Sequence, residues 1–354
     1  RMAGRYPYYG ANGIQDYVAN YIFDGTFVLV GEDGSVLTTN NTPVVNWAEG
    51  KIWVNNHAHI ISEVDGILLR YLYFYLQTIN IKHLIHGNIP KLTGKDFKAL
   101  EIPVPPLEVQ REIVRILDHF TELTTELTTE LTTELTARKK QYAYYRDQLL
   151  NRDMGFQMIE LGDVCTFIRG PFGGALKKEI FEPEGFAVYE QQNAIYQNLS
   201  IRYHISSQKF DELKRFAVHS GDLIVSCSGT IGKTFVIPEC APQGVINQAL
   251  LKLTPCNELN VYYLQFFFEN TISKILNGVA RGGAIKNVPA VKELKKIKIP
   301  LPPLEEQQRI VDILDRFDTL CNDLTAGLPA EIEARRKQYE YYRDKLLTFE
   351  PLAD

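Results

Sequence analysis

The sequence lacks the marks of several protein classes. No apolar run reaches about 18 residues, the length of a membrane-spanning helix, so no membrane partner is predicted. The five cysteines are odd in number and never spaced Cys-X-X-Cys. That usage argues against structural zinc and favours a reduced, cytoplasmic protein. At 354 residues two or more domains are expected.

Catalytic motifs are also missing. The sequence contains no Gly-X-Ser-X-Gly, His-Glu-X-X-His or Gly-X-Gly-X-X-Gly, and its two Pro-Pro pairs precede leucine rather than the aromatic residue of amino-methyltransferases. Residues 227–234, CSGTIGKT, fall one short of a phosphate loop and begin with Cys227 where glycine is required. The histidine pairs His57/His59 and His83/His86 have no acidic or thiol ligand beside them in the sequence. We therefore predict no catalytic residue, no metal and no cofactor, and we expect the chain not to be an enzyme.

An internal repeat is the strongest feature that the sequence does have. Residues 102–123 and 299–320 share 14 identities in 22 positions, and residues 137–150 and 334–347 share 11 in 14, both at an offset of 197. The preceding stretches, 1–99 and 157–298, resemble each other far less. The chain thus alternates two variable modules with two similar connectors.

Charge is divided along the same lines. The modules 1–99 and 157–298 have net charges of 0 and +3, whereas the connectors 100–156 and 299–354 have −3 and −5. A phosphate-binding surface must be locally basic whatever the total charge. If the chain binds nucleic acid, the modules are the parts free to do so; a chance difference between helical and β-rich segments would give the same pattern.

The connectors are predicted to be helical. Apolar residues follow each Pro-Pro pair at helical spacing, and residues 121–136 read TELT four times. Leu123, Leu127, Leu131 and Leu135 then form one stripe, which Leu320, Leu324, Leu328 and Ile332 match in the second connector. Threonine is a mediocre helix former, so we expect the two stripes to pack together antiparallel, with a break at Gly327-Leu328-Pro329.

The four-residue repeat also predicts a spacer. Each copy adds about 6 Å of helix and turns its face by about 40°, so copies can be gained or lost while the stripe nearly holds. The alternative is that TELT is low-complexity drift within a coiled-coil seam.

The modules are predicted to be mixed α/β. Short strands are expected at 21–23, 27–30 and 51–54 in the first module and at 186–189, 222–225 and 234–237 in the second. Each module ends in an aromatic helix, 68–76 and 261–268, whose aromatic side chains we expect in the core.

These patterns resemble the specificity subunit of type I restriction–modification systems. The resemblance rests on the repeated blocks IPxPPLExQ…IV-ILD-F and RKQYxYYRDxLL, the TELT tandem, and module segments such as PYYGANGIQDYVANYIFDGTFVLVGEDGS, YEQQNAIY, GDLIVSCSGTIGK and INQALLKL. It implies an α+β fold with two globular target-recognition domains, 1–99 and 157–298, separated by two long conserved helices packed as an antiparallel coiled coil. The helical spacers would be 100–156 and 299–354.

The resemblance also implies partners. They are double-stranded DNA with a bipartite target, one half-site per module, two methyltransferase (M) subunits, and restriction (R) subunits joined through the complex. The first module has no counterpart to the start of the second, because Gly155 would correspond to position −42 at the repeat offset. We therefore expect part of that module to be absent. A coiled-coil adaptor with two protein-binding modules and no DNA binding is the alternative function.

Candidate contact residues follow from side-chain chemistry. Gln and Asn read adenine, Arg reads guanine and Lys holds phosphate. In the second module the predicted DNA-binding residues are Lys177, Lys178, Gln191, Gln192, Asn193, Ser226, Ser228, Lys233 and Arg281. In the first module they are Tyr9, Asn12, Gln15, His57, His86 and Lys91. Duplicated helix ends suit two copies of one partner, so the predicted partner-binding residues are Tyr142, Tyr145, Arg146, Leu149, Tyr339, Tyr342, Arg343 and Leu346.

Overall fold

A computed structural model of the chain describes residues 2–150, 155–172, 174–279, 288–323 and 325–349, with the backbone alone for 276–279. The chain divides into two compact units. Unit 1 contains residues 1–133 and 330–354, and unit 2 contains residues 134–329. The divisions fall within the two connectors, so each unit combines one module with a part of each connector.

The described elements alternate between short strands and helices of very different length. The strands are β1 (Ala3–Gly10), β2 (Gly13–Val18), β3 (Phe23–Gly31), β4 (Val45–Val54), β5 (Ala58–Ile61), β6 (Met158–Glu160), β7 (Cys165–Arg169), β8 (Phe186–Tyr189), β9 (His204–Ile205), β10 (Ala217–Val218), β11 (Leu223–Ser226), β12 (Thr234–Val236), β13 (Gly244–Ile246), β14 (Leu250–Pro255) and β15 (Lys298–Pro300). The helices are α1 (Leu69–Leu76), α2 (Gly94–Lys98), α3 (Leu107–Leu149), α4 (Leu161–Val164), α5 (Gln191–Tyr196), α6 (Ser207–Glu212), α7 (Val261–Val279), α8 (Val291–Leu294), α9 (Leu304–Asn322) and α10 (Leu328–Leu346).

Unit 1 is built on a five-stranded sheet in the order β2-β1-β4-β3-β5. Strands β1 and β4 pair in parallel, and the other neighbours pair antiparallel. Strand β3 is buried on both faces: Val28 and Val30 pack with helix α1, whereas Leu29 packs with Tyr9 and Ile52 on the other side. Full burial of such side chains stabilises by about 1.5–3 kcal/mol each, so β3 is the centre of this module.

Strand β3 begins at Phe23, so the predicted strand 21–23 is wrong for Tyr21 and Ile22, whereas the predicted strand 27–30 lies within β3. The gap predicted between these two strands is also wrong, because Gly25 stays in the ladder opposite Gly50. Its φ of +150° suits glycine, so the residue bends the strand without ending it. The predicted aromatic helix 68–76 is confirmed as α1.

Unit 2 contains two four-stranded sheets, β10-β13-β8-β9 and β12-β11-β14-β7, and the short pair β15-β6. The predicted strands near 186–189, 222–225 and 234–237 are confirmed as β8, β11 and β12. The aromatic helix predicted over 261–268 is longer than expected, since α7 runs from Val261 to Val279. Its residues Tyr263, Phe267 and Phe268 lie in the main core, as predicted, but the prediction is wrong for Tyr262, which is 48% exposed.

Helix α3 is one uninterrupted helix of 43 residues that includes all four TELT copies. Threonine hydroxyls in the repeat donate to the carbonyl oxygen four residues earlier, at 2.6–2.8 Å for Thr128, Thr129, Thr132 and Thr133. These bonds satisfy the hydroxyls within the helix itself. A threonine-rich segment can therefore remain helical while most of its side chains face solvent.

The helix pairing is equivalent in the two units. In unit 1, the first part of α3 packs on α10: Thr121 and Tyr339 share a hydrogen bond of 2.9 Å between their hydroxyls, and the Phe120 and Tyr342 rings lie 6.1 Å apart. In unit 2, the last part of α3 packs on α9, where the Phe317 ring lies 5.8 Å from Tyr145. Phe317 and Tyr342 are Phe120 and Tyr145 displaced by the repeat offset of 197, so the predicted antiparallel contact between connectors is confirmed.

Only part of the leucine stripe packs closely against other elements. Leu135 packs on the core of unit 2, but Leu123 and Leu127 are 47% and 36% exposed. Both residues line a cavity at the contact of α3 with α10, beside Tyr339 and Tyr342, so they border that contact without being buried by it. Leu324, in the matching stripe, lies outside the described residues.

The second connector breaks where its sequence predicts. Helix α9 ends at Asn322 and α10 begins at Leu328, so Pro329 lies in the first turn of the new helix, where proline is tolerated. A Cβ atom at Gly327 would collide with the carbonyl oxygens of Thr319 and Leu320. Glycine is therefore needed at the close approach that ends α9.

Candidate nucleic-acid interface

The loop between β11 and β12 is shaped by Ser226. Its hydroxyl donates to the Thr230 carbonyl oxygen at 2.6 Å and accepts from the Lys233 backbone N–H at 3.0 Å. Gly229 and Gly232 have φ of +69° and +79°, which glycine adopts without strain. Ser226 is thus buried inside the loop, whereas Ser228 is half-buried and Lys233 is exposed.

The three consecutive amides predicted to read bases differ in role. Asn193 is fully buried. Its side chain accepts from the Glu190 backbone N–H at 2.8 Å and donates to the Asn198 and Ser200 carbonyl oxygens at 3.0 and 2.9 Å. These bonds cap helix α5 and fold the following loop back, so Asn193 has the geometry of a structural residue. Gln191 and Gln192 are half-buried at the start of the same helix.

The segment after β7 exposes two basic side chains and one aromatic side chain. Lys177 and Lys178 are exposed, and Phe172, which the sequence analysis did not select, is 95% exposed. A lone phenylalanine in a sequence gives no sign of exposure, but its Gly-Pro-Phe-Gly-Gly setting marks a loop tip. Arg281 lies outside the described residues.

The first module brings most of its predicted residues to one end of the sheet. Asn12 lies in the β1–β2 turn, and the Asn55 backbone N–H donates to the Tyr9 carbonyl oxygen at 3.0 Å beside it. His86 and Lys91 pair through two backbone hydrogen bonds of 3.2 and 3.1 Å. Tyr9 itself is a core residue and Gln15 is exposed on the edge strand β2.

This end of the sheet is rich in carboxylates. His57 Nδ1 lies 2.5 Å from Asp33 Oδ1, and Lys91 Nζ lies 3.3 Å from Glu32 Oε1. The expectation that the histidines have no acidic neighbour is wrong, because Asp33 is 24 residues from His57 in the sequence yet adjacent in the fold. Carboxylates oppose phosphate binding and accept hydrogen bonds from cytosine N4, so this end suits base reading better than backbone binding.

Three of the eight predicted partner-binding residues pack on the cores of the units. Tyr142 is buried, Leu149 packs on the unit 2 core and Leu346 on a unit 1 core. Burial raises the pKa of the Tyr142 and Tyr339 hydroxyls. Arg146 and Arg343 lie over the rings of Tyr142 and Tyr339, at 5.3 and 6.0 Å from the ring centroids.

A duplicated aromatic pair lies on the outside of the helices. Tyr144 and Tyr341 are 60% and 61% exposed. Each ring meets its neighbour, Tyr145 or Tyr342, edge to face, at 5.5 and 5.3 Å and with an interplanar angle of 73° in both. The same pair therefore stands on both units. The signal in the sequence was that both tyrosines of the pair are identical in the two repeats. The prediction followed helical spacing from Tyr142 and therefore did not include Tyr144 or Tyr341.

Comparison with known proteins decides the family. A family model described as the type I restriction modification DNA specificity domain matches residues 1–137 and 154–334. The chain belongs to the type I restriction–modification specificity family. Recognition of a DNA target by two domains is the role of this family.

Relatives in the type I specificity family cover most of the chain. A putative type I restriction enzyme specificity subunit of Haemophilus influenzae is 42% identical over 99% of this chain and 89% of the relative. The EcoR124I/EcoR124II specificity subunit of Escherichia coli is 34% identical over 80% of this chain and 71% of the relative.

Solved structures share the fold of this specificity-family chain. One, from work on complex assembly and conformational transition of the type I R-M system, has a TM-score of 0.72 at 18% identity and covers 98% of this chain and 92% of its own. The HsdS subunit of Thermoanaerobacter tengcongensis has a TM-score of 0.57 at 19% identity over 92% and 80%. The α+β fold with two recognition domains and long helices is thereby confirmed.

Within the parts of the chain that the structure describes, no helix has both the length and the apolar character to cross a membrane. Across the same ranges, no three His, Cys, Asp or Glu side chains gather in a way that could hold a metal ion.

Proposed function

We propose that this chain reads a bipartite DNA target, with residues 1–99 reading one half-site and residues 157–298 the other. Residues 100–156 and 299–354 would hold the two readers at a set separation. The chain would act without catalytic residues of its own, in the cytoplasm, where its DNA substrate lies.

The observation that carries the proposal is the duplicated helix contact. Phe120 with Tyr342 and Phe317 with Tyr145 repeat one contact at a sequence offset of 197, while the modules have different sheets. Recognition of two different half-sites requires two different modules, each held by an equivalent pair of connector helices. A protein-binding adaptor would not need the loop cations of the second module.

In the second module the contact side chains are those that the fold leaves accessible. Lys177, Lys178 and Lys233 would hold phosphates, and Gln191 and Gln192 would reach base edges. Asn193 and Ser226 would act indirectly by shaping the two loops. In the first module Asn12 and Gln15 are the accessible amides, with His57, His86 and Lys91 beside carboxylates.

Two methyltransferase subunits would bind the duplicated exposed tyrosines, one at Tyr144–Tyr145 and one at Tyr341–Tyr342. Tyrosine is a frequent interface anchor because it presents a large, rigid surface with a polar end. Matching geometry on both units favours two copies of one partner. Restriction subunits would join through the methyltransferases.

Methylome sequencing of the host with and without this gene tests the proposal. We expect a bipartite methylated motif with one spacer length that disappears when the gene is removed. Identical methylomes in the two strains would contradict it, and the adaptor alternative predicts that result.

A further inference from the structure

Gln110 is a polar side chain in a fully buried place. Its Nε2 donates to the carbonyl oxygens of Gly66 and Pro105 at 2.9 and 2.8 Å, and its Oε1 accepts from the Leu68 backbone N–H at 2.9 Å. Leu68 directly precedes helix α1, the last long element of the first module. One amide thus ties the entrance of the module helix to the start of the connector helix.

Gln307 repeats this arrangement in unit 2. It is also fully buried, donates to the carbonyl oxygens of Glu258 and Pro302 at 2.9 and 2.8 Å, and accepts from the Asn260 backbone N–H at 2.8 Å. Asn260 directly precedes helix α7. Every bond of Gln110 has an equivalent here, with matching lengths.

We call each of these two groups of hydrogen bonds, around Gln110 and around Gln307, a latch. A tyrosine hydroxyl adds one more bond to each latch. The Tyr71 hydroxyl donates to the Pro103 carbonyl oxygen at 2.9 Å, and the Tyr263 hydroxyl donates to the Pro300 carbonyl oxygen at 3.0 Å. These bonds close over 32 residues in unit 1 and 37 in unit 2. The latch is therefore the same although the sequence between its ends differs in length.

This geometry gives the glutamines a role beyond filling space. Each carboxamide uses both donors and its acceptor inside the protein, and removing it would leave a buried N–H and two carbonyl groups unpaired. An apolar residue could fill the volume but could not fix both partners. The bonds set where a module lies on its own connector helix.

We propose that Gln110 and Gln307 are positioning residues that fix the spacing at which the two half-sites are accepted. The inference rests on the proposed function. A module is about 30 Å across, the diameter of a small domain. If it tilts by about 6° about its latch, its far side moves by about 3 Å. That distance is close to one base-pair step of about 3.4 Å, so a loosened latch would admit spacers one pair longer or shorter.

The test uses the full chain, produced with its methyltransferase partner in a host without other methylation, and long-read methylome sequencing. The variants are Gln110→Ala and Gln307→Ala. Gln208→Ala, at an exposed glutamine of helix α6 in the second module, is the matched control. Tyr71→Phe and Tyr263→Phe each remove one latch bond without opening a cavity, so they keep the test usable if an alanine variant does not fold.

We expect each latch variant to methylate the same half-site bases. The ratio of methylation at neighbouring spacer lengths to methylation at the native spacer length should rise about tenfold over the wild-type ratio, which is equivalent to 1.4 kcal/mol. The phenylalanine variants should show a smaller rise and the control none. A single, unchanged spacer in folded, assembled latch variants would overturn the proposal, and so would complete loss of methylation in such variants.

Hydrogen exchange separates this idea from the proposed function. If the wild-type chain directs no bipartite methylation, the proposed function fails. The latch is then judged by the Leu68 amide in Gln110→Ala and the Asn260 amide in Gln307→Ala. Both should exchange at least about tenfold faster, as expected when a buried bond is lost; unchanged exchange would contradict the latch itself.

Discussion

Deleting one TELT unit, Thr125–Thr128, is the perturbation whose effect the structure defines most sharply. These four residues lie inside the continuous helix α3, and at 1.5 Å per residue the deletion shortens it by about 6 Å and turns its ends by about 40°. Six ångströms equal at most about two steps of DNA at 3.4 Å each. Compliance of the DNA should reduce the change in half-site spacing to about one or two base pairs.

The deletion spares the contacts that hold the helices. In unit 1 Phe120 and Thr121 make the ring and hydroxyl contacts of α3 with α10, and of the deleted residues Leu127 lines the cavity beside them. In unit 2 Tyr142 and Tyr145 make the ring contacts with α9. The deleted residues belong to no core cluster of the described chain. We therefore expect the three-copy variant to fold.

Methylome sequencing is the assay, and Leu127→Ala is the control because it changes the repeat without changing its length. The three-copy variant should methylate the same two half-sites at a shorter spacing, and the control should keep the native spacing. Loss of methylation at every spacing would show that the repeat is core structure. A change in the half-site bases would show that the modules do not read independently.

Three further predictions concern other parts of the molecule. Gln192→Ala should relax sequence preference, whereas Lys178→Ala should weaken binding to all DNA and flatten its salt dependence. If both variants lose affinity equally for specific and random DNA, the assignment of Gln192 to base reading and Lys178 to phosphate binding is refuted. The double variant Tyr144→Ala, Tyr341→Ala should stay folded by circular dichroism but lose methyltransferase subunits in native mass spectrometry, while retention of two subunits would contradict it. At pH 8 an alkylating agent should modify two thiols in the native chain and five in denaturant, because thiolates react and burial raises the pKa of Cys165 to about 12 and of Cys227 to about 11. The pair that reacts first should be the exposed Cys240 and Cys256.

The sequence was most informative where residues recur. The connector helices, their contact and the break before Pro329 follow from repeated identities and from proline and glycine chemistry, which act locally. The packing of the leucine stripe was less predictable, because Leu123 and Leu127 line a cavity beside α10 that leaves them partly exposed, and helical spacing does not show how closely a partner helix covers a stripe.

The candidate site was harder to predict because tertiary structure decides which polar side chains remain accessible. Asn193 carries the same amide chemistry as Gln192, but its bonds close a helix cap. His57 gains Asp33 as a neighbour only through the pairing of β3 with β5. Gln110 and Gln307 were visible as identical positions of the repeat, yet a glutamine in a helical block gives no sign that it is buried.

Replacing residues 157–298 with the corresponding module of the Haemophilus influenzae relative tests the central claim most directly. The exchanged chain, produced with its methyltransferase partner, would be compared with the original by methylome sequencing. If each module reads its own half-site, one half of the methylated motif changes while the other half and the spacer length remain. A change in both halves would contradict independent reading by the two modules.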